Sequence, residues 1–512
     1  MNPRKTLERL KRFLFSQKSR CGTVDVLDAF LFNVANSPLT PAVAQGRATL
    51  SYKDLSIFAE RIGYAIHQAV SKPCPRVLLA VPQSSAAYAG MIGTLSVGGT
   101  FCPLNLQGPS VRNATISAEF LPDVVLFDSV RPSFLDELPA TTPQVDVSRL
   151  EARSLSQPIG ESSEIAYVIF TSGSSGQPKG VKIGRKAFSY FLAVARNYFD
   201  LKRGERWGQY SNLGYDLAIM DVFLALTAGG TLVPLAGSKE QLMPATAIKE
   251  HEIAIWQSVP SVLELMISAN QVAAEYLAPL RLMSFCGEPL LTRHLEALFA
   301  ARPEIHVFNT YGTTETTGFN TINCLNSTNY CDSCQAATVA LGDDVPGWKL
   351  TLRGGQSANE GEIVVSSDFL SLGYWRDEDR TRAAFRVLSD DEMNPHRSYF
   401  TGDWAVRKNS KLYFSSRIDR QVKIRGERIE LNEIDACLRE EGFAAAYTVF
   451  VADELHSFVE STNDVDQERV RGLLAKRLPF HAVPKTIRTL PSLPRNANGK
   501  IDGGPLKQLA AS

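Results

Sequence analysis

Residues 165–183 read IAYVIFTSGSSGQPKGVKI. The first six form an unbroken apolar run rich in β-branched and aromatic side chains, the pattern of a strand buried on both faces. At Thr171 the run gives way to Gly173, Gly176 and Gly180, with Ser172, Ser174 and Ser175 between them and Pro178-Lys179 behind. Glycine lets successive backbone N–H groups converge on one point, so a strand that opens into such a loop can cradle an anion. The hydroxyls add donors and Lys179 adds charge. The spacing is not that of the common phosphate loop, G-x-x-x-x-G-K-[ST]. Counted from Gly173, Pro178 stands where the second glycine belongs; counted from Gly176, Val181 does. Taken alone, the stretch reads equally well as a flexible Gly/Ser turn.

Outward from the loop, apolar strand-like runs alternate with helical periodicity. RVLLAVPQ and DVVLFDS precede it as buried strands. KAFSYFLAVARNYF and IMDVFLALTAGG follow as helices, the second stopped by its glycines, and TLVPL, LRLMSFCGEPL and HVFNTYGTTE are further strands opening into loops. This alternation predicts an α/β fold with mostly parallel sheets, whose ligands gather in the loops after strand ends. Near residue 418 the pattern changes. RQVKIRGERIELNEIDACLREEG reads as a polar hairpin and then a helix that Asn432 can cap, followed by AYTVFVA as a strand and QERVRGLLAKRL as a helix. The expected division is a large α/β unit over 1–418 and a small, mobile α+β unit over 419–512.

The 512 residues exceed what one core usually holds. Lys+Arg and Asp+Glu both number 54, so no overall charge recruits nucleic acid or an acidic membrane. No apolar run is long enough to span a bilayer. The leading MNPRKTLERLKRFLFSQKSR is basic without a signal peptide's apolar centre and reads as a solvated helix, with a membrane-surface or targeting role as the alternative. Eight scattered cysteines do not make a disulfide scaffold. In CLNSTNYCDSC, Cys324, Cys331 and Cys334 are either reduced loop thiols or a metal or redox site with no evident fourth ligand.

YVIFTSGSSGQPKGVKI resembles the phosphate loop of the adenylate-forming superfamily, which includes amino-acid adenylation domains, acyl-CoA synthetases and luciferases. The resemblance continues in order through LSYKDLSIFAERI, VGGTFCPLN, NTYGTTETT, YFTGDWAV, RIDRQVKIRGERIEL, LPFHAVP and NANGKID, from about residue 48 to 505. It implies a two-step ligation: a carboxylate attacks the α-phosphate of ATP, giving an acyl-adenylate and pyrophosphate, and a thiol then displaces AMP. Thr171, Ser172, Gly173, Ser174, Ser175, Gly176 and Lys179 would hold the β- and γ-phosphates. Tyr311 would stack on adenine beside Asn309, with Gly287 and Glu288 also at the nucleotide. Thr314 would touch phosphate, and Glu315 would hold Mg²⁺, which favours oxygen ligands. Asp403 would accept from the ribose hydroxyls, with Arg417 on the other side. Lys500 would bridge substrate carboxylate, ribose and α-phosphate during the first step. Asp419 stands at the hinge position; after rotation Lys423 and Gly426 would replace Lys500 and line the thiol's path. One departure is Ser416, where the family usually has glycine.

NLGYDLAIMDVF matches the stretch where amino-acid adenylation domains set an aspartate against the substrate ammonium, here Asp216; such a contact selects amino acids over plain acids. The implied pocket is Leu217, Met220, Ser261, Ser284, Cys286, Thr310, Gly318 and Phe319. YDLAIMD, VPS, FCGE and FNTYG are most similar to the stand-alone D-alanine–carrier-protein ligases, with Cys286 where those shape the pocket. Ser284 and Gly318 are small for their positions and Phe319 large, so the expected substrate is a small or medium amino acid such as Ala, Gly, Ser or Cys. The sequence ends twelve residues after Lys500 without a phosphopantetheine attachment motif, so the expected acceptor is a separate carrier protein, in the cytoplasm. The competing readings are an acyl- or aryl-CoA ligase and a non-catalytic binding protein of the same fold.

Overall fold

The computed structural model describes residues 24–46, 48–151, 161–173, 177–335, 337–388, 396–462, 465–495 and 501–511. The basic N-terminal segment, Ser174, Ser175, Gly176 and Lys500 lie outside them. Among the described residues the strands gather into two large sheets and several smaller ones. One large sheet runs, edge to edge, through Gln144–Asp146, Val124–Phe127, Arg76–Ala80, Thr100–Pro103, Ile165–Thr171 and Lys179–Gly184. Its pairs are parallel until the last, where Ile165–Thr171 and Lys179–Gly184 turn back on each other. The opening stretch of sequence thus supplies two strands that pair antiparallel at the edge of a parallel sheet.

The second large sheet carries Thr321–Leu325, His306–Tyr311, Leu282–Phe285, Ile255–Ser258, Arg206–Gln209, Thr231–Pro234 and Pro41–Gln45 in that order. It is parallel from His306–Tyr311 to Pro41–Gln45. The helix Asp216–Ala228 packs on it, buried along nearly its whole length because its sequence is apolar on every face. It ends at Gly229, which takes the left-handed conformation at φ 80°. Helices and strands therefore fall where the alternating pattern predicts, and the fold is mixed α/β with mostly parallel sheets.

Past residue 418 the chain builds its own cores. Ile429, Ile434, Leu438, Val459 and Leu474 form one cluster, and Val449, Phe458, Leu493 and Leu506 another. The polar hairpin is Gln421–Ile424 with Glu427–Glu430, and the helix after it is Leu431–Glu440. Asn432 does not cap that helix. It lies inside the first turn, where its Oδ1 accepts from Arg420 at 2.6 Å. No helix among the described residues is long and apolar enough to cross a membrane. Cys324, Cys331 and Cys334 are free thiols, and no group of three metal-ligating side chains occurs among the described residues.

Candidate active site

A cavity of about 270 Å³ opens where the two large sheets meet the polar hairpin. Part of its wall is the start of the helix Asp216–Ala228: Asp216, Leu217 and Met220 all line it, together with Cys286, Thr314 and Gly318. Asp216 occupies the helix N-terminus, where backbone dipoles favour a negative charge. Its Oδ2 accepts from the Thr314 hydroxyl at 2.7 Å and its Oδ1 from the Leu217 N–H at 2.9 Å. Burial nevertheless pushes its carboxyl above the ordinary range, against the lowering pull of those two donors. A cation brought to this wall would therefore be held strongly.

Four of the pocket residues expected from sequence stand elsewhere. Phe319 is fully buried, packed edge-on against Phe191 at 4.9 Å between ring centroids, and belongs to the core. Gly318 explains this: at φ 83° it turns the chain, and a Cβ there would lie 2.5 Å from the Phe191 ring. Thr310 donates to the Phe285 carbonyl at 2.9 Å, away from the open space. Ser261 sits in the first turn of the helix Pro260–Ser268, its N–H donating to Glu288 at 2.9 Å. Ser284 is wholly buried one row beneath the cavity.

At the other end the cavity touches the base of the glycine loop, through Thr171 and Ser172. The Thr171 hydroxyl is buried without a partner among the described residues. Gly173 turns tightly, since a Cβ there would meet the Gln177 carbonyl at 2.1 Å. Lys179 does not point to solvent. Its Nζ lies 3.2 Å from Glu315, which also accepts from the Tyr374 hydroxyl at 3.0 Å. The third partner comes from the small unit: Arg428 Nη1 reaches the two Glu315 oxygens at 3.0 and 3.1 Å. Burial alone would raise the Glu315 carboxyl, but Arg428 and then Lys179 hold it well below the usual carboxylate range. Burial, and then Arg428, pull Lys179 down to about 8, against the lift from Glu315. Magnesium needs free oxygen ligands. With both oxygens of Glu315 committed to basic side chains, this carboxylate does not fit as its ligand in this arrangement.

The residues expected at the nucleoside form a closed cluster beside the cavity. Asp403 is 1% exposed; its Oδ2 accepts from the Tyr311 hydroxyl at 2.7 Å and its Oδ1 from Arg417. Tyr311 is buried, and the Asn309 amide donates to the Ala340 carbonyl at 2.9 Å. Of this group only Arg417 lines the cavity. Arg417 also donates to Asp419 at 2.6 and 2.7 Å, tying the end of the strand Lys411–Arg417 to the hinge position. Ser416 continues that strand, paired with Trp404.

The polar hairpin completes the wall. Lys423 and Gly426 line the cavity, and Gly287 faces them. The Gly426 N–H donates to Glu288. At φ 78°, with its missing Cβ only 2.1 Å from Val259 Cγ1, Gly426 is the one residue type that lets the hairpin tip sit this close. Two residues the sequence did not single out join it. Arg112 Nη1 reaches Glu433 at 2.7 Å and its Nη2 lies 3.4 Å from the Ser172 hydroxyl. Arg428 was hidden in the same way: each pairs with a residue far away in sequence, for which a linear pattern carries no signal.

A family model described as "AMP-binding enzyme" matches residues 30–375, about two thirds of the chain. Fumosorinone synthetase of Cordyceps fumosorosea is 28% identical over 504 residues, covering 90% of this chain. The chain spans only 12% of that protein's length. D-alanine--D-alanyl carrier protein ligase of Staphylococcus aureus is 28% identical over 484 residues, covering 91% of this chain and 95% of its own. Among solved structures, the Vibrio cholerae adenylation domain AlmE, in complex with glycyl-adenosine-5'-phosphate, superposes with a TM-score of 0.81 at 23% identity, over 95% of this chain and 97% of its own. That last likeness speaks for the fold. By the extent of the family match, the chain belongs to the AMP-binding enzymes.

Proposed function

We propose that this chain is an AMP-forming ligase that activates a small or medium amino acid with ATP and passes it to the phosphopantetheine thiol of a carrier protein. The observation that carries the amino-acid part is Asp216: a half-buried carboxylate on the cavity wall, with two donors but no basic side chain bonded to it among the described residues. A substrate ammonium would supply that charge, and a plain acid would leave it unpaired.

In the first step a substrate carboxylate oxygen bonds to the α-phosphorus as the bond to pyrophosphate breaks. Arg417 lies on the nucleoside side of the cavity, and Thr171, Ser172 and Lys179 at the phosphate side. Asp403, Tyr311 and Asn309 would hold the ribose and base once their cluster opens to admit ATP. In the second step the thiol sulfur bonds to the acyl carbon, AMP leaves with the electron pair, and the thiol proton passes to solvent. The docked hairpin suits this second step: Gly426 leaves a side-chain-free edge beside Gly287, and Lys423 faces the amino-acid end. We take residues 419–512 as a unit that turns about Asp419, delivering Lys500 for the first step and the hairpin for the second. When bound, Mg²⁺ would neutralise the charge of the triphosphate; Glu315 becomes available to it only with Arg428 withdrawn. ATP as the energy source suits a cytoplasmic enzyme.

ATP–pyrophosphate exchange tests the reading, run across D- and L-amino acids and the matching acids that lack the amino group. Amino acids should support exchange and their deamino analogues should not. Exchange with the deamino acids alone would make the protein an acyl- or aryl-CoA ligase instead.

A further inference from the structure

We infer that the amino-acid pocket is built to read an uncharged, hydrogen-bonding side chain, with Gln257 and Ser284 as the residues that read it. The inference rests on the amino-acid reading above. Both residues are 0% exposed, and neither the Gln257 amide oxygen and nitrogen nor the Ser284 hydroxyl has a hydrogen-bond partner among the described residues. They are direct register partners on the parallel strands Ile255–Ser258 and Leu282–Phe285. Three unpaired polar atoms therefore lie on facing positions of neighbouring strands in the interior, where such atoms are normally satisfied.

Their face of the sheet is set by alternation. Ile255 and Leu282, two residues before each, share a core cluster with Met220 and Phe223, whereas Trp256, Met283 and Phe285 belong to the cluster on the opposite face. Gln257 and Ser284 thus lie under the helix that starts at Asp216. Cys286, two residues after Ser284, lines the cavity, as does Met220. The polar pair lies one side-chain row, roughly 6.6 Å of strand, deeper than Cys286. A substrate side chain entering beside Met220 and Cys286 runs towards it.

A carboxamide offers a donor pair and an acceptor, and a hydroxyl offers both roles. A substrate ending in a methyl group would leave Gln257 and Ser284 unpaired. An ionised side chain would exchange water for two neutral groups. A carboxamide or hydroxyl of the substrate satisfies the site, which argues against alanine and glycine. The competing occupant is a single buried water bridging the two residues.

Isosteric pairs separate these cases. Pyrophosphate exchange is measured with the full chain for threonine against valine, asparagine against leucine and serine against 2-aminobutyrate, in both enantiomers. At least one polar member should exceed its apolar isostere by tenfold or more in kcat/KM, because a site built to hydrogen-bond strongly rejects an analogue lacking the group. Gln257→Leu should abolish or invert that preference with the KM for ATP unchanged. Ser284→Ala, a smaller change that leaves the packing intact, should weaken it several-fold. Apolar isosteres that match or beat their polar partners in the wild type would mean that water fills the site, and the inference fails while the amino-acid reading stands. A preference that survives both substitutions also overturns it. Exchange with deamino acids alone removes both readings together.

Discussion

Arg428 is the sharpest place to perturb the docked arrangement. Replacing it by methionine keeps most of the side chain's length and removes its charge from beside Glu315. Breaking a buried ion pair outright costs about 3–5 kcal/mol. Glu315 keeps Lys179 at 3.2 Å and the Tyr374 hydroxyl at 3.0 Å, so the loss is nearer that of charged hydrogen bonds alone, about 1.5–3 kcal/mol. On the rotating-unit reading proposed above, only the docked state makes this contact. The equilibrium should then move towards the undocked state by about 10- to 100-fold. A dye pair placed across Asp419 reads the docked fraction directly. In single turnovers starting from preformed aminoacyl-adenylate, transfer to a carrier thiol should slow by a similar factor, while ATP–pyrophosphate exchange holds or rises. If the docked fraction is unchanged, or exchange falls as far as transfer does, the contact is not what holds the hairpin in place.

Asp216→Asn should lower kcat/KM for amino acids by about 10²- to 10³-fold, the cost of an unpaired buried ammonium, and should leave the folded protein no less stable, since burial already disfavours this carboxylate; amino-acid kinetics and a melting curve check both. Lys179 titrates near 8 when folded and at its ordinary 10.5 when free. Between those values the unfolded chain binds the proton the folded chain has released, so stability rises with pH across that window by at most about 3 kcal/mol. The wild type should accordingly gain on Lys179→Met as pH climbs from 8 to 10, and a pH-independent gap between their melting temperatures would refute the assignment. Gly426→Ala should slow transfer and spare exchange, because the new methyl meets Val259 in the docked state and φ 78° strains any side chain there. Adding Val259→Ala should restore transfer in part.

The sheets were legible because apolar runs between turns admit few other readings, and Ile165–Thr171 is the strand its pattern predicts; that Lys179–Gly184 returns beside it was not read from the sequence. The order of strands was not. Nothing local announces that Val43, in Pro41–Gln45, pairs with Leu232, in Thr231–Pro234, with many strands and helices between them in sequence. In the site, Asp216 and Cys286 could be placed on the cavity wall from resemblance to known motifs. Phe319 could not, because whether a side chain faces a pocket or a core depends on the turn at Gly318, which packs against Phe191. Gln257 left a faint trace that went unread: a polar side chain alternating with Ile255 inside an otherwise apolar strand. Arg112 and Arg428 left none, since their partners lie 321 and 113 residues away.

The segment past residue 418 has its own cores, and the contacts that join it to the rest include Arg428 with Glu315, Arg112 with Glu433, and the Gly426 N–H with Glu288. An interface of this kind makes the two units interchangeable parts. A C-terminal unit transplanted from a relative would need to reproduce those charges and the bare hairpin tip, not the packing of a shared core. On the reading proposed above, chimaeras and divergent descendants could change which carrier they serve while keeping which amino acid they choose, because Asp216, Met220 and Cys286 lie on the other side of the joint.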